Sequence, residues 1–194
     1  MIIPVARFAL LLSVVVVAAC SGDAGEPSAL PDIAGASSTS THTPTESPAV
    51  ESPVEPDNAH EYSAEGVEAF TLYAIEVINY AYQTNDVSYL KQIMSPDCQT
   101  CANVVNTLEN LARDGGRIEG GQLIPELISV TGPTQGVRTS AGIDLVLTAS
   151  RSYNSNGDVT NSAEDREVQY IFDYQREDDR WMLDGVRRGV ERSS

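Results

Sequence analysis

The sequence predicts an α+β domain over residues 61–194, in which three N-terminal helices pack on a curved antiparallel sheet of about four strands. Two observations predict it. Apolar residues first recur every three to four positions, as in a helix, and after about residue 123 they recur every second position, as in a strand. Helices that come first and antiparallel strands that follow place the helices on one face of the sheet.

The first helix is predicted to begin near Ala64. Ser63 can cap it, and Glu65 favours the positive charge of its first turn. Asn85 and Asp86 end it. Its core face carries apolar residues at helical spacing, namely Val67, Phe70, Ala74, Val77, Ile78 and Ala81.

Two further helices are predicted before the strands. A short one runs through Leu90 and Met94. Ser95 is then predicted to cap the third, with Pro96 at the first position, where its missing N–H costs nothing. Gly115 and Gly116 end this helix. Its core face consists of Val104, Val105, Leu108, Leu111 and Ala112.

Alternating apolar residues predict the strands. They cover 123–130, a long run in which residues 143, 145, 147 and 149 share a face, then 168–174 and 181–190. Polar turns are predicted at 154–157 and 177–180. Trp181 opens the last strand and is predicted to be a core anchor.

The N-terminus has the pattern of an export signal. Residues 8–19 are apolar apart from Ser13, and they end in Val17-Ala18-Ala19-Cys20. This run is too short to span a membrane. It resembles the lipobox of bacterial lipoproteins, which implies cleavage between Ala19 and Cys20 and a lipid on the Cys20 sulfur. An ordinary secretory signal cleaved at Ala19 is the alternative.

Residues 20–60 are predicted to be a disordered tether after a signal peptide at 1–19. Proline, serine and threonine are dense there, and between 21 and 60 there is no aromatic residue, lysine or arginine. Such a segment buries too little apolar surface to compensate the entropy of ordering. A bare spacer is expected, and O-glycosylation is the alternative.

The charge of the chain argues against nucleic acid as a partner. The formal net charge is −16 at pH 7, and no cluster of lysine and arginine is present to neutralise phosphates. The same charge argues against electrostatic docking on a membrane. Attachment to the outer face of the cell membrane is therefore expected through the lipid on Cys20.

Neither a catalytic residue nor a metal or cofactor site is predicted. Both histidines, His42 and His60, fall in the tether or at its edge. Among the strand carboxylates, Asp173 is expected to face water because it shares parity with polar neighbours. Asp144 is expected on the face opposite the apolar residues, and Asp184 could face either way.

Cys98 and Cys101 are the remaining chemical candidates. With Cys20 lipidated, they form an even pair in an oxidising compartment, which favours a structural disulfide. The alternative is a redox pair, since a helix N-terminus lowers a thiol pKa. Against it, the preceding segment is predicted to be helical rather than a strand, and the adjacent Asp97 opposes a thiolate.

Several segments together resemble an actinobacterial lipoprotein family of unknown function with a nuclear-transport-factor-two-like cone. They are the lipobox, the Pro/Ser/Thr tether, Glu65-Gly66-Val67-Glu68-Ala69-Phe70, Asn79-Tyr80-Ala81-Tyr82, Ser95-Pro96-Asp97-Cys98-x-x-Cys101, and the strand Arg180-Trp181-Met182-Leu183-Asp184-Gly185-Val186. The resemblance implies the cone fold but brings no activity or binding residues. The wider fold includes ketosteroid isomerase-like and polyketide cyclase-like enzymes, which use an acid or a histidine inside the cone.

Two functions are therefore expected as alternatives. The first is a non-enzymatic binding or scaffolding module held at the cell envelope, with an envelope protein or a small molecule as its unidentified partner. The second is a carrier of a small apolar ligand, or an enzyme, that uses a pocket inside the cone. A deep, partly polar cavity between helices and sheet would favour the second. Candidate lining residues are Tyr73, Tyr80, Tyr82, Tyr170 and Trp181.

Overall fold

The computed structural model describes residues 50–134 and 138–189, so the predicted leader, Cys20 and most of the tether lie outside the described residues. The described part belongs to a compact unit, Glu46–Ser194, with its own core, and such a unit is expected to fold alone. In chain order its elements are a 3₁₀ turn (Asp57–His60), α1 (Ala64–Thr84), α2 (Ser88–Ile93), α3 (Gln99–Arg113), β1 (Arg117–Gly120), β2 (Leu123–Thr131), β3 (Thr139–Leu147), β4 (Ser150–Tyr153), β5 (Val159–Ala163), β6 (Arg166–Glu177) and β7 (Arg180–Arg188).

Helix α1 agrees with its prediction at both ends. The Ser63 side chain accepts a hydrogen bond from the Gly66 N–H at 3.0 Å, which satisfies a donor of the first turn. At the other end, Asn85 adopts a left-handed conformation with φ 59°, which stops the helix. The predicted core face is buried except for Ile78, which is partly buried against the core.

The predicted start of α3 is wrong. The helix begins at Gln99 with Cys98 as its N-cap, and Ser95 does not cap it. Ser95 is instead part of the sheet edge, because its N–H donates to the Leu183 carbonyl at 2.8 Å and its hydroxyl donates to Asp184 at 2.8 Å. The local sequence shows only that Ser95 is able to cap a helix. Its actual partners, Leu183 and Asp184, belong to β7, which comes much later in the chain.

The described residues contain seven strands in two antiparallel sheets, where about four strands in one sheet were predicted. The main sheet has the order β2-β3-β6-β7, and the second has the order β1-β4-β5. The predicted long run through Ala149 is interrupted, since β3 ends at Leu147 and β4 begins at Ser150 in the other sheet. Strands β1, β4 and β5 have four or five residues each and few apolar ones, so alternation gave no signal for them.

The core lies between the helices and one face of the main sheet. Strands β3 and β6 supply its sheet side with residues that are at most 1% exposed, such as Ile143, Leu145 and Phe172. The Phe70 ring of α1 packs edge-on against Tyr174 of β6, with centroids 5.5 Å apart. Trp181 is 3% exposed, so it is a core residue as predicted.

The folded unit begins before residue 61. Residues 55–62, which we call the strap, lie against the β6–β7 hairpin. Ala59 is completely buried, the Tyr62 ring stacks on Trp181 with centroids 5.7 Å apart, and the Trp181 indole N–H donates to the Glu61 carbonyl at 2.9 Å. Two more bonds join Arg176 to the His60 carbonyl at 2.9 Å and Arg180 to Glu55 at 3.1 Å.

The expectation that Asp173 faces water is wrong. Its side chain lies on the sheet face away from the helices, but the residue is only 7% exposed. Ser140 donates to one carboxylate oxygen at 2.6 Å, and Arg187 donates to the other at 3.0 Å. Strand parity predicts the face of a residue, but it does not predict whether neighbouring side chains fold over it.

Candidate functional site

A cavity of about 590 Å³ lies between the helices and both sheets. Ligand sites for small molecules typically have volumes of about 300–1,000 Å³. One side of it is formed by α1 and α3, and the other by the inner face of the main sheet and by β4 and β5. The cavity is therefore large enough for a small organic ligand.

The attachment of α3 to the edge of the main sheet positions one wall of the cavity. The Thr100 hydroxyl accepts a hydrogen bond from the Val186 N–H of β7 at 3.0 Å. Just before the helix, Met94 pairs with Leu183 of β7 in a single parallel bridge, and the Ser95 N–H donates to the Leu183 carbonyl. These bonds hold the first turns of α3 over the end of β7.

The deeper part of the cavity is apolar. Its side chains come from all three helices and from both sheets, so the surface exists only in the folded domain. They are Ile78, Leu90, Val104, Ile118, Leu123, Leu147, Phe172, Leu183 and Val186.

Exposed polar side chains mark the opening of the cavity. Asn103 and Thr107 lie on α3, and Asn161 faces them from β5. Glu164 and Arg166 are the charged members among the described lining residues, and both are exposed. The opening thus offers mainly hydroxyl and amide groups.

Two phenols line the same cavity. Burial raises the pKa of the Tyr82 hydroxyl, and the neighbouring Tyr170 phenol raises this pKa further. Within residues 50–134 and 138–189, neither hydroxyl has a hydrogen-bond partner in the protein. Both phenols are therefore available to a bound molecule.

Of the five aromatic residues named as candidates for lining a pocket, Tyr82 and Tyr170 line the cavity. Tyr73 packs near Phe70 in the core, and burial raises the pKa of its phenol. Tyr80 packs edge-on against Tyr89, with centroids 5.3 Å apart, and Trp181 belongs to the contact with the strap. The polar residues of β4 and β5 were not predicted, because those strands give no periodic signal.

Cys98 and Cys101 form a disulfide at the start of α3, with Cα atoms 5.3 Å apart. Cys98 is completely buried and Cys101 is 3% exposed. Cys101 also lines the cavity, but the low exposure of both residues restricts the access of another thiol, which redox exchange requires. The geometry agrees with a structural disulfide that holds the turn before α3.

The three aspartates in the described strands have structural partners and do not line the cavity. Asp144 accepts a hydrogen bond from Gln169 at 2.7 Å across β3 and β6. Asp184 lies at a bulge of β7, where Arg138 approaches its carboxylate to 2.9 Å. With Asp173 also paired, no strand aspartate is placed to act on a ligand in the cavity.

His60 belongs to the strap, and His42 lies outside the described residues, as do Ala19 and Cys20. In the part of the chain that the structure describes, no group of three or more His, Cys, Asp or Glu side chains is arranged to hold a metal ion. None of the described helices combines the length and apolarity needed to cross a membrane.

The fold and the cavity define a small α+β domain with a ligand-sized cavity that opens to solvent. The chain belongs to the family of unknown function DUF6318, whose model matches residues 37–187. The matched region starts within the predicted tether and ends at residue 187, one residue before the end of β7. No curated protein matches the chain.

Solved structures with a similar mixture of helices and antiparallel sheet share little sequence with the chain. The intermembrane space region of the chloroplast protein ARC6 matches 64% of this chain and 95% of its own, with 12% identity and a TM-score of 0.48. An uncharacterised protein with a cystatin-like fold from Caulobacter vibrioides matches 64% and 88%, with 16% identity and a TM-score of 0.42. A protein whose name begins Rd1NTF2_05 matches 64% and 99%, with 12% identity and a TM-score of 0.37. The neighbours thus include an NTF2-like chain, and nothing about function follows from them.

Proposed function

We propose that the protein is an actinobacterial envelope lipoprotein whose domain is a non-enzymatic binding module for a small, mainly apolar molecule. Cleavage between Ala19 and Cys20 and lipid attachment at Cys20 hold it on the outer face of the membrane. Residues up to the strap act as the spacer. The single observation that supports binding is the cavity of about 590 Å³ between the helices and the sheets.

The lining supports a mainly apolar ligand. Burial of apolar surface contributes roughly 25 cal/mol per Å², so the deep wall can stabilise a ligand without many directed bonds. The hydroxyl and amide groups at the opening suit a ligand with a polar end near solvent. Among the two functions expected from the sequence, the cavity therefore favours the ligand carrier over a scaffold for another envelope protein.

The charged lining groups support a binding protein over an enzyme. General acid–base catalysis needs a group within hydrogen-bond reach of the reacting atoms, usually with a pKa tuned by its surroundings. Glu164 and Arg166 are the charged lining groups of the described residues, and both are exposed at the opening rather than enclosed with a ligand. The strand aspartates are bonded elsewhere.

Binding of a fluorescent apolar amine, N-phenylnaphthylamine, to the 46–194 fragment tests this proposal. We expect saturable binding with increased fluorescence. Val104→Trp fills part of the cavity and should weaken binding at least about tenfold, since even ~1.4 kcal/mol of lost contact has that effect.

Val146→Trp is the matched control. Val146 lies on the face of the main sheet that points away from the cavity, where it pairs with Ile124 of β2. It should leave binding unchanged. Circular dichroism shows whether each variant is folded. No saturable binding by the folded fragment, or equal binding by both variants, would contradict the proposal.

A further inference from the structure

We propose that the polar end of the cavity ligand is an uncharged group rich in hydroxyls, such as a sugar. The inference rests on the proposed ligand-binding function and specifies the chemical class of the ligand, an alkyl or acyl glycoside. Its hydrocarbon part lies against the apolar wall, and its hydroxyls contact the second sheet and α3.

The first argument is the register of the second sheet. Ser152 of β4 lies opposite Asn161 of β5, Ser150 lies opposite Ala163, and all four residues line the cavity. Directly opposite residues of an antiparallel pair have Cβ atoms about 4.5–5.5 Å apart, and Ser150 precedes Ser152 by roughly 6.6 Å along the strand. Two hydroxyls and an amide are therefore presented together, within the reach of the several hydroxyls of one sugar ring.

The second argument is the distribution of charge between the two faces of this sheet. Arg117, Glu119 and Arg151 alternate with the cavity-lining residues, so they lie on the opposite face. There Arg117 and Glu119 form an exposed ion pair at 2.9 Å. In β1, β4 and β5, all of which the structure describes, the side chains that face the cavity are uncharged, namely Ile118, Ser150, Ser152, Asn161 and Ala163.

The third argument is the facing wall on α3. Thr100, Asn103 and Thr107 follow one another at about one helical turn, and all three line the cavity. Glu109 and Arg113, the charged residues of this helix, do not line it. Threonine, serine and asparagine side chains both donate and accept hydrogen bonds, as a sugar hydroxyl does. The two walls can therefore pair with a hydroxyl in either role.

The fourth argument concerns the net charge of the opening. Glu164 and Arg166 are the charged lining residues among those that the structure describes, and their opposite charges cancel. An anionic end would meet Glu164 and a chain of net charge −16, whereas a cationic end would meet Arg166. The opening therefore offsets neither kind of charge, which favours an uncharged polar end.

The test is displacement of N-phenylnaphthylamine from the 46–194 fragment by three molecules with the same eight-carbon chain. At pH 7, octyl glucoside carries an uncharged sugar, octanoate an anion and octylamine a cation. Below its micellar concentration, octyl glucoside should bind at least about tenfold more tightly than either ion, because the walls pair with hydroxyls but offset neither charge.

Ser152→Ala/Asn161→Ala removes the cross-strand pair that faces the cavity. The loss of two hydrogen bonds should weaken octyl glucoside binding about tenfold, and the affinity for N-phenylnaphthylamine should change less than about twofold. Arg151→Ala/Ser162→Ala is the matched control, because it removes the adjacent pair of the same strands on the opposite face. This control should leave both affinities unchanged, and circular dichroism shows that each variant is folded.

Equal affinity of octyl glucoside for the wild type and for Ser152→Ala/Asn161→Ala would overturn the inference, as would tighter binding of octanoate or octylamine. Failure of octyl glucoside to displace bound N-phenylnaphthylamine would also overturn it, while leaving the apolar cavity as a binding site. Failure of N-phenylnaphthylamine itself to bind the folded fragment would overturn the proposed function.

Discussion

The hydroxyl oxygens of Thr71 and Tyr174 lie 2.7 Å apart in the core, where they join α1 to β6. Thr71 is fully buried and its hydroxyl also donates to the Val67 carbonyl at 2.7 Å, so the Tyr174 hydroxyl is the donor to Thr71. Burial raises the pKa of Tyr174, which keeps the phenol protonated. The pair thus places one satisfied polar contact inside an otherwise apolar layer.

Thr71→Val is expected to destabilise the domain by about 1–3 kcal/mol, because it leaves the buried Tyr174 hydroxyl without a partner. Tyr174→Phe alone should cost less, since Thr71 keeps its bond to Val67. The double variant should recover part of the loss, because both polar groups are then absent. Urea unfolding of the four proteins measures the coupling, and strictly additive losses would contradict it.

Trp181→Ala is expected to lower the free energy of unfolding by about 3–5 kcal/mol, since truncating a buried tryptophan removes that amount. This is a large share of the ~5–15 kcal/mol of an ordinary domain. The variant also loses the indole bond to Glu61 and the stacking on Tyr62. Denaturant titration followed by circular dichroism measures the midpoint. Tyr62→Ala, whose ring is half exposed, should have a smaller effect.

The disulfide between Cys98 and Cys101 should resist dithiothreitol in the folded 46–194 fragment and be reduced only when guanidinium unfolds it. Both residues are almost fully buried, which restricts the access of a reductant to the sulfurs. Mass spectrometry after alkylation counts the free thiols. Replacing both residues by serine should cost about 2 kcal/mol in the chain-entropy model for so small a ring. Rapid reduction under native conditions would instead favour the redox alternative.

Cys20→Ser is expected to abolish lipid attachment and to leave the full chain unprocessed or released from the membrane. Labelling of cells with a radioactive fatty acid measures attachment. The matched control replaces Cys98 and Cys101 by serine and should keep the label, because only Cys20 follows the small residues of the predicted cleavage site. Equal labelling of wild type and Cys20→Ser would contradict the proposed anchor.

Asp173→Ala should destabilise the domain by about 1–3 kcal/mol, because the hydrogen bonds from Ser140 and Arg187 are both lost. The ion pair itself adds little, since Arg187 is exposed and screened by water. Asp144→Ala removes a single half-buried bond from Gln169 and should cost about 0.5–1.5 kcal/mol. Urea unfolding measures the stability of both variants. Equally small losses of stability in Asp173→Ala and Asp144→Ala would contradict the burial of Asp173.

Features that depend on neighbours in the chain were predicted from the sequence. Helix α1 was predicted from its apolar period, from the Ser63 cap and from Asn85 at its end. The turn between β6 and β7 was predicted from its polar residues, and Asp178 and Asp179 adopt the positive φ values of 45° and 62° that such a hairpin turn requires. These signals are local, because each residue acts on the backbone within one turn of itself.

The sequence by itself determined the class of the domain, the helical half, the alternating strands of the main sheet and the burial of Trp181. Only the tertiary structure decided that Ser95 joins the sheet edge, that Asp173 is covered by Arg187, and that β4 and β5 form the polar side of the cavity. It also decided that Tyr82 and Tyr170, rather than the other aromatic residues, share that cavity. The physical reason is that each of these contacts joins different strands or helices, so it depends on how the layers pack, which periodicity within one segment does not specify.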